Sequence, residues 1–263
     1  MWSYQHQHFT VHQLPVLRDN YIYLIEAHTS DALIVIDPAE AVAVQRACKA
    51  LEKKLTHIFN THHHWDHTDG NLQLKAHFDC QIIGAKCDAE RIPGIDIQVT
   101  QHDAPEIAGL SIQTIEVPGH TSGHIAFVID DALFCGDTMF GAGCGRLFEG
   151  TPAQMWNSLC KLAALDPITK VYCAHEYTMA NLEFSRSIDL DNLALTERMH
   201  RDGSLRQQNK PTIPSSIAVE LVTNPFLRSL DESFCQTYAA RYKLSVSDAL
   251  TVFTDIRLRK DRG

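Results

Sequence analysis

Four histidine- or aspartate-bearing clusters each follow a short apolar run: THHHWDH after LTHIFN, GHTSGH after LSIQTIEVP, GDTMF after ALFC, and AHEY after KVYC. A strand delivers its last residue to the rim of its sheet, so polar groups placed just beyond several strands collect along one edge. The pattern calls for a layered α/β structure with a single polar rim. Around these clusters the first half of the chain alternates short strands with helices. Residues 21–37 read as a β-hairpin, 39–53 as a helix, 55–62 as a strand, 69–78 as a helix and 80–85 as a buried strand. The stretches 110–120 and 124–137 are β-rich, 152–164 reads as a helix, and 170–175 as a further strand.

After about residue 175 the strand-like runs cease. Helices are predicted near 176–188, 191–208, 215–222, 231–242 and 246–259. In the last, Val246, Ala249, Leu250, Phe253 and Ile256 recur at helical spacing. Ser245, with Asp248 three residues on, forms an imperfect capping box there. The change of character divides the chain into a domain of residues 1–173 and a helical domain of residues 174–263.

Composition narrows the function. The 23 basic and 32 acidic residues give a net charge of −9, which argues against a general nucleic-acid binder. No run approaches the roughly 18 apolar residues of a membrane span, and the N-terminus lacks the basic and apolar regions of a signal peptide. The expectation is a cytoplasmic protein with no membrane or nucleic-acid partner, acting as a monomer. The eight cysteines include no C-x-x-C pair and lie in apolar segments, as reduced buried thiols do.

The ten residues THHHWDHTDG (61–70) contain the spacing H-x-H-x-D-H. In an extended segment His62 and His64 point the same way, while His63 and Trp65 point elsewhere and serve packing or support. A following tight turn lets Asp66 and His67 aim at a second point. Imidazole and carboxylate donors suit zinc, iron or manganese, and the absence of cysteine disfavours a closed structural zinc site.

This run, followed in order by His120 in PGHTSGH, Asp137 in CGDTMF and His175 in CAHEYT, resembles the metallo-β-lactamase superfamily. The resemblance implies a four-layer αββα sandwich, here followed by a C-terminal all-helical domain. It also implies two divalent metal ions, zinc foremost, with iron or manganese as alternatives. One ion would take His62, His64 and His120, the other Asp66, His67 and His175, with Asp137 bridging. His63 falls outside this ligand set, and His124, four residues after His120, is assigned a supporting role. The remaining histidines, His6, His8 and His12 among them, are read as structural or surface groups.

A narrower resemblance runs nearly end to end. THHHWDHTDGN, PGHTSGH, FCGDTMFGAGCGRLFEGT, CAHEYT, NPFLR and the C-terminal IRLRKD are similar to the glyoxalase II family, the hydroxyacylglutathione hydrolases. That family hydrolyses S-(2-hydroxyacyl)glutathione, chiefly S-D-lactoylglutathione, to glutathione and D-lactate, the second step of methylglyoxal detoxification. The resemblance implies a metal-bridged hydroxide as nucleophile, oriented by Asp66. It also implies a glutathione site of Arg146, Tyr177, Arg257 and Lys260. Glutathione carries two carboxylates, so its site needs cations; on charge alone the basic tail reads as a solvated helix end, and it is the resemblance that assigns it to glutathione. Arg257 and Lys260 lie three apart, on one face of what reads as the last turn of the final helix. Two positions depart from the family, which often has Lys in place of Arg146 and Tyr in place of Phe148. Arginine keeps the charge, whereas Phe148 lacks the hydroxyl and is left out of the binding set.

Other superfamily chemistries fit less well. A nuclease needs a basic surface, and a persulfide dioxygenase uses one iron and lacks the helical tail. A β-lactamase is usually secreted, and a metal-storage protein has no use for an open binuclear site.

Overall fold

The chain begins with two strands that its sequence pattern does not announce, Trp2–Gln5 (β1) and Phe9–Val16 (β2). The computed structural model describes residues 1–262, which form two compact units: residues 1–116 with 122–136, and residues 117–121 with 137–262.

In the first unit β1 and β2 join Asn20–Ala27 (β3), Ala32–Ile36 (β4), Lys54–Phe59 (β5), Gln81–Ala85 (β6) and Ile97–Val99 (β7) in a seven-stranded sheet. The strands lie in sequence order. They are antiparallel from β1 to β4 and parallel from β4 to β7. Parallel neighbours need crossovers, supplied at β4–β5 by helix Ala41–Leu51 (α1) and at β5–β6 by Trp65–Thr68 (α2) and Asn71–Phe78 (α3).

Val44, Ala47 and Cys48 of α1 and Leu74 of α3 pack with Leu24, Val35, Leu55, Ile58 and Ile82 of the sheet in one apolar core. Leu55 and Ile58 share this core although three residues apart, because the pairing with β4 shifts between Leu33 and Ile34. Such a bulge resets the two-residue alternation. Phe59 instead packs at a tilt against Phe127, 4.9 Å between ring centres, and Tyr23 meets Phe134 edge-on at 5.7 Å. These rings join the seven-stranded sheet to a second layer. A two-residue hairpin, Glu106–Ile107 (β8) with Leu110–Ser111 (β9), precedes that layer. The layer itself is an antiparallel meander of Gln113–Glu116 (β10), Ile125–Ile129 (β11) and Ala132–Gly136 (β12).

The second unit opens with the hairpin Met139–Phe140 (β13) and Gly143–Cys144 (β14). Helix Pro152–Ala163 (α4) follows. It starts at a complete capping box, Thr151 with Gln154, and has Pro152 in its first turn. Lys170–Cys173 (β15) leads into Thr178–Ile188 (α5) and Leu193–Gln207 (α6). The tail is not purely helical: Ser215–Ser216 (β16) pairs with Lys170 and Val171 of β15. The helices Ile217–Thr223 (α7), Pro225–Arg228 (α8), Glu232–Tyr242 (α9) and Ala249–Arg262 (α10) complete the unit.

Helix α10 starts three residues later than its apolar spacing predicts. The Asp248 carboxylate accepts from Thr251 N at 3.0 Å and so caps the helix in place of Ser245. As a result α10 extends to Arg262, and Arg257 falls before its last turn, which holds Arg259, Lys260 and Arg262. Among the described residues no helix is long and apolar enough to cross a membrane.

Candidate metal centre and anion site

The candidate residues divide between the units. His62, His64, Asp66 and His67 belong to the first, and His120, Asp137, Arg146, His175, Tyr177, Arg257 and Lys260 to the second.

In the first unit β5 ends at Phe59 and hands the chain directly to the histidine run. His62 and His67 are buried, at 0% and 1% exposure. The tight turn expected after His64 is the single helical turn α2, which carries Asp66 and His67.

Hydrogen bonds set the ring tautomers. Thr61 Oγ1 donates its one proton to Asp37 Oδ2 at 2.7 Å, so it accepts from His62 Nδ1 at 3.0 Å. The His62 lone pair therefore sits on Nε2, 3.0 Å from His64 Nδ1. His67 Nδ1 donates to Asp37 Oδ2 at 3.0 Å, which leaves its lone pair on Nε2, 3.6 Å from Asp66 Oδ2. Asn20 Nδ2 donates to the same Asp66 oxygen at 3.1 Å. The run thus presents two donor pairs, His62 with His64 and Asp66 with His67.

Asp37 and Asn20, which hold these candidate donors by hydrogen bonds, are residues that the sequence reading misses. Asp37 adopts φ +50°, a left-handed conformation costing about 1 kcal/mol for a residue with a Cβ. The cost is offset by bonds from Thr61 N, Thr61 Oγ1 and His67 Nδ1. The signals for both residues are faint: an aspartate closing the apolar run ALIVI, and an asparagine opening NYIYLI.

His63 and Trp65 behave differently from each other. His63 Nδ1 lies 3.0 Å from Asp88 Oδ2, consistent with support. Trp65 is 67% exposed and so does not pack as expected, because the α2 turn rotates its side chain outward. His124 stacks on His62 with ring centres 4.6 Å apart and planes at 18°. Gly136, at φ +48°, leaves room for both: a Cβ there would strike Thr61 Oγ1 and come within 2.9 Å of the His124 ring.

In the second unit Asp137 follows β12 directly. Its Oδ2 lies 3.4 Å from His120 Nε2 and its Oδ1 3.4 Å from His175 Nε2. One carboxylate therefore addresses two imidazoles with different oxygens. His120 Nδ1 donates to the Arg146 carbonyl at 2.9 Å, which again leaves the lone pair on Nε2. Tyr177 stacks on His175, 4.8 Å away with planes at 2°.

The basic candidates gather in the same unit. Burial, then Arg257, and then Arg146 against a partial offset from Glu183 push the Lys260 ammonium below its ordinary pKa. Arg257 and Arg146 thus both lie near the Lys260 ammonium, and a grouping of cations of this kind favours an anion. Arg257 is buried at 4%. Its Nη1 donates to the Cys144 carbonyl at 3.1 Å and its Nη2 to Asp261 at 2.8 Å. Phe148 is 62% exposed, its ring 5.1 Å from that of His120.

Nitrogen and carboxylate donors with fixed tautomers are what a divalent metal requires, and the His and Asp groups of this chain are compatible with holding one. Residues 16–175 match the metallo-beta-lactamase superfamily, and the fold and donor set together define a divalent-metal protein of that fold. Residues 176–263 match the hydroxyacylglutathione hydrolase C-terminus. The chain belongs to the hydroxyacylglutathione hydrolase family. It is 48% identical to the hydroxyacylglutathione hydrolase of Methylococcus capsulatus, over 95% of this chain and 96% of that one. It is 47% identical to that of Rhodospirillum rubrum, over 95% and 97%. Among solved structures it is similar to ETHE1 from Myxococcus xanthus, with a TM-score of 0.63, 25% identity and coverage of 90% and 91%.

Proposed function

We propose that this protein hydrolyses S-(2-hydroxyacyl)glutathione, chiefly S-D-lactoylglutathione, to glutathione and D-lactate. The observation that carries the reading is near-full-length similarity to hydroxyacylglutathione hydrolases, tail included. The cation cluster of Arg146, Arg257 and Lys260 supports it.

In this reading His62, His64 and His120 would hold one metal and Asp66, His67 and His175 the other, with Asp137 serving both. Zinc is the foremost candidate, with iron and manganese as alternatives. When bound, such ions acidify a water toward a pKa of about 7 and polarise a carbonyl oxygen. Asp66, held by Asn20, orients the attacking water through a hydrogen bond. Asp37, Thr61 and the Arg146 carbonyl keep protons on the Nδ1 atoms of His67, His62 and His120, so each Nε2 stays a donor. The substrate's carboxylates are taken by Arg146 and Lys260 and by Arg257, where they compete with Asp261. Tyr177, stacked on His175, lines the peptide's path. A thiolate leaves, and at a thiol pKa of about 8.5 it needs little protonation. No serine or cysteine nucleophile is invoked. The proposal takes residues 1–173 as the catalytic domain, 174–263 as the helical domain, and the chain as a cytoplasmic monomer.

The test compares thiol release from S-D-lactoylglutathione with release from a small thioester lacking the glutathione moiety. Fast turnover of the first only, with Arg257→Ala and Lys260→Ala chiefly raising KM, supports the reading. Equal turnover of both, or variant losses confined to kcat, contradicts it.

A further inference from the structure

The segment Lys86–Arg91 lies outside every motif, yet it touches both polar segments of the first unit. Asp88 closes a short 3-10 turn, and its side chain has no exposure. Asp88 Oδ2 accepts from His63 Nδ1 at 3.0 Å, and Oδ1 accepts from Arg91 Nε at 2.5 Å. Arg91 continues the chain of contacts. Its Nη2 donates to Ser122 Oγ at 3.1 Å, and its Nη1 lies 3.4 Å from His63 Nε2. Gly123 presses on the carboxylate from the other side, where an added Cβ would sit 2.7 Å from Asp88 Cγ. A single aspartate–arginine pair therefore grips the 61–67 loop through His63 and the 122–124 segment through Ser122 and Gly123.

Burying a carboxylate is expensive, and replacing such pairs with apolar residues is often neutral or stabilising. Overall stability therefore gives no reason for this one. Its contacts offer a geometric reason. His63 stands between His62 and His64 in the chain, and Ser122 between His120 and His124. With both ring nitrogens engaged by Asp88 and Arg91, His63 cannot swing. The backbone bearing its two neighbours is held with it.

We propose that Asp88 and Arg91 are positioning residues that fix the histidine-bearing loop for metal binding. This rests on the metal-binding reading above.

The test measures divalent-cation affinity by competition with a chromophoric chelator, using zinc and cobalt, with the cobalt visible spectrum as a reporter of coordination geometry. Wild type, Asp88→Asn, Arg91→Met and Arg91→Lys are compared, each as the full chain. Asp88→Asn and Arg91→Met are expected to bind about 10–100-fold more weakly and to show an altered cobalt spectrum. Arg91→Lys should recover part of the loss, and KM for the thioester should stay within about twofold of wild type. Arg91 is partly exposed, so its variants decide the matter if Asp88→Asn does not fold. Wild-type affinity and an unchanged spectrum in Arg91→Met would overturn the proposal. Failure of the wild type itself to bind metal would instead sink the underlying metal reading.

Discussion

Asp37 receives His67 Nδ1 at 3.0 Å and the Thr61 hydroxyl at 2.7 Å, and that hydroxyl in turn receives His62 Nδ1. One carboxylate thus fixes two candidate ligands. Asp37→Asn keeps the shape but offers one acceptor oxygen in place of two. Metal affinity should fall by about 10–100-fold, as measured by chelator competition, with KM for substrate little changed. Residues of this kind were not legible in the sequence. The histidines announce themselves because four stand within six positions, whereas Asp37, Asn20 and Asp88 stand in no such pattern and are brought to the run only by folding. Lys260 carries a prediction in pH. Its folded pKa is lowered, first by burial and then by Arg257, so its charge is lost as pH rises through a value below the 10.5 of free lysine. KM for an anionic thioester should therefore rise at lower alkaline pH than an ordinary lysine would allow. Lys260→Arg should abolish that rise, since guanidinium stays charged. The sign for stability is opposite. The strained ammonium is a cost present below the folded pKa and relieved above the unfolded one. Lys260→Met should accordingly raise the neutral-pH Tm while raising KM, and a lowered Tm would contradict this account of the site.

Helix α10 carries both Arg257 and Lys260, and Asp248 caps it. Asp248→Ala should cost about 1 kcal/mol in urea unfolding and raise KM more than it lowers kcat. The sequence misplaced this start because serine and aspartate are both good caps, and only the bond to Thr251 N decides between them. The strands β1 and β2 were illegible for a related reason. Their polar residues satisfy one another across the sheet, as Ser3 with His12 and His12 with Glu26 do, so they lack the apolar run by which β3 and β5 are read. Helix α7 holds the loop that leads to Arg146. Glu220 accepts from Ala142 N at 2.9 Å and from Arg198 Nη2 at 2.7 Å, and both side chains are almost fully buried. Arg198→Met would leave buried Glu220 without a cationic partner and Asp202 with Arg201 alone, and should destabilise the protein by about 3–5 kcal/mol in the same unfolding assay.

At the scale of the whole chain, the two family matches meet between residues 175 and 176, just after the last candidate ligand. Metal chemistry and substrate recognition were legible separately. The donors sit in contiguous motifs from His62 to His175, and the basic pair comes some eighty residues later. What the sequence could not convey is how each donor is held: which ring nitrogen carries the proton, which carboxylate oxygen faces which histidine, and that Arg257 already engages Asp261. The central claim is that this chain cleaves a glutathione thioester with divalent metal. It is tested most directly by stripping metal with a chelator, assaying S-D-lactoylglutathione hydrolysis, and titrating zinc back. Activity should vanish in the stripped protein and return in proportion to added metal, levelling off at two ions per chain. Undiminished turnover in the metal-free protein would contradict it.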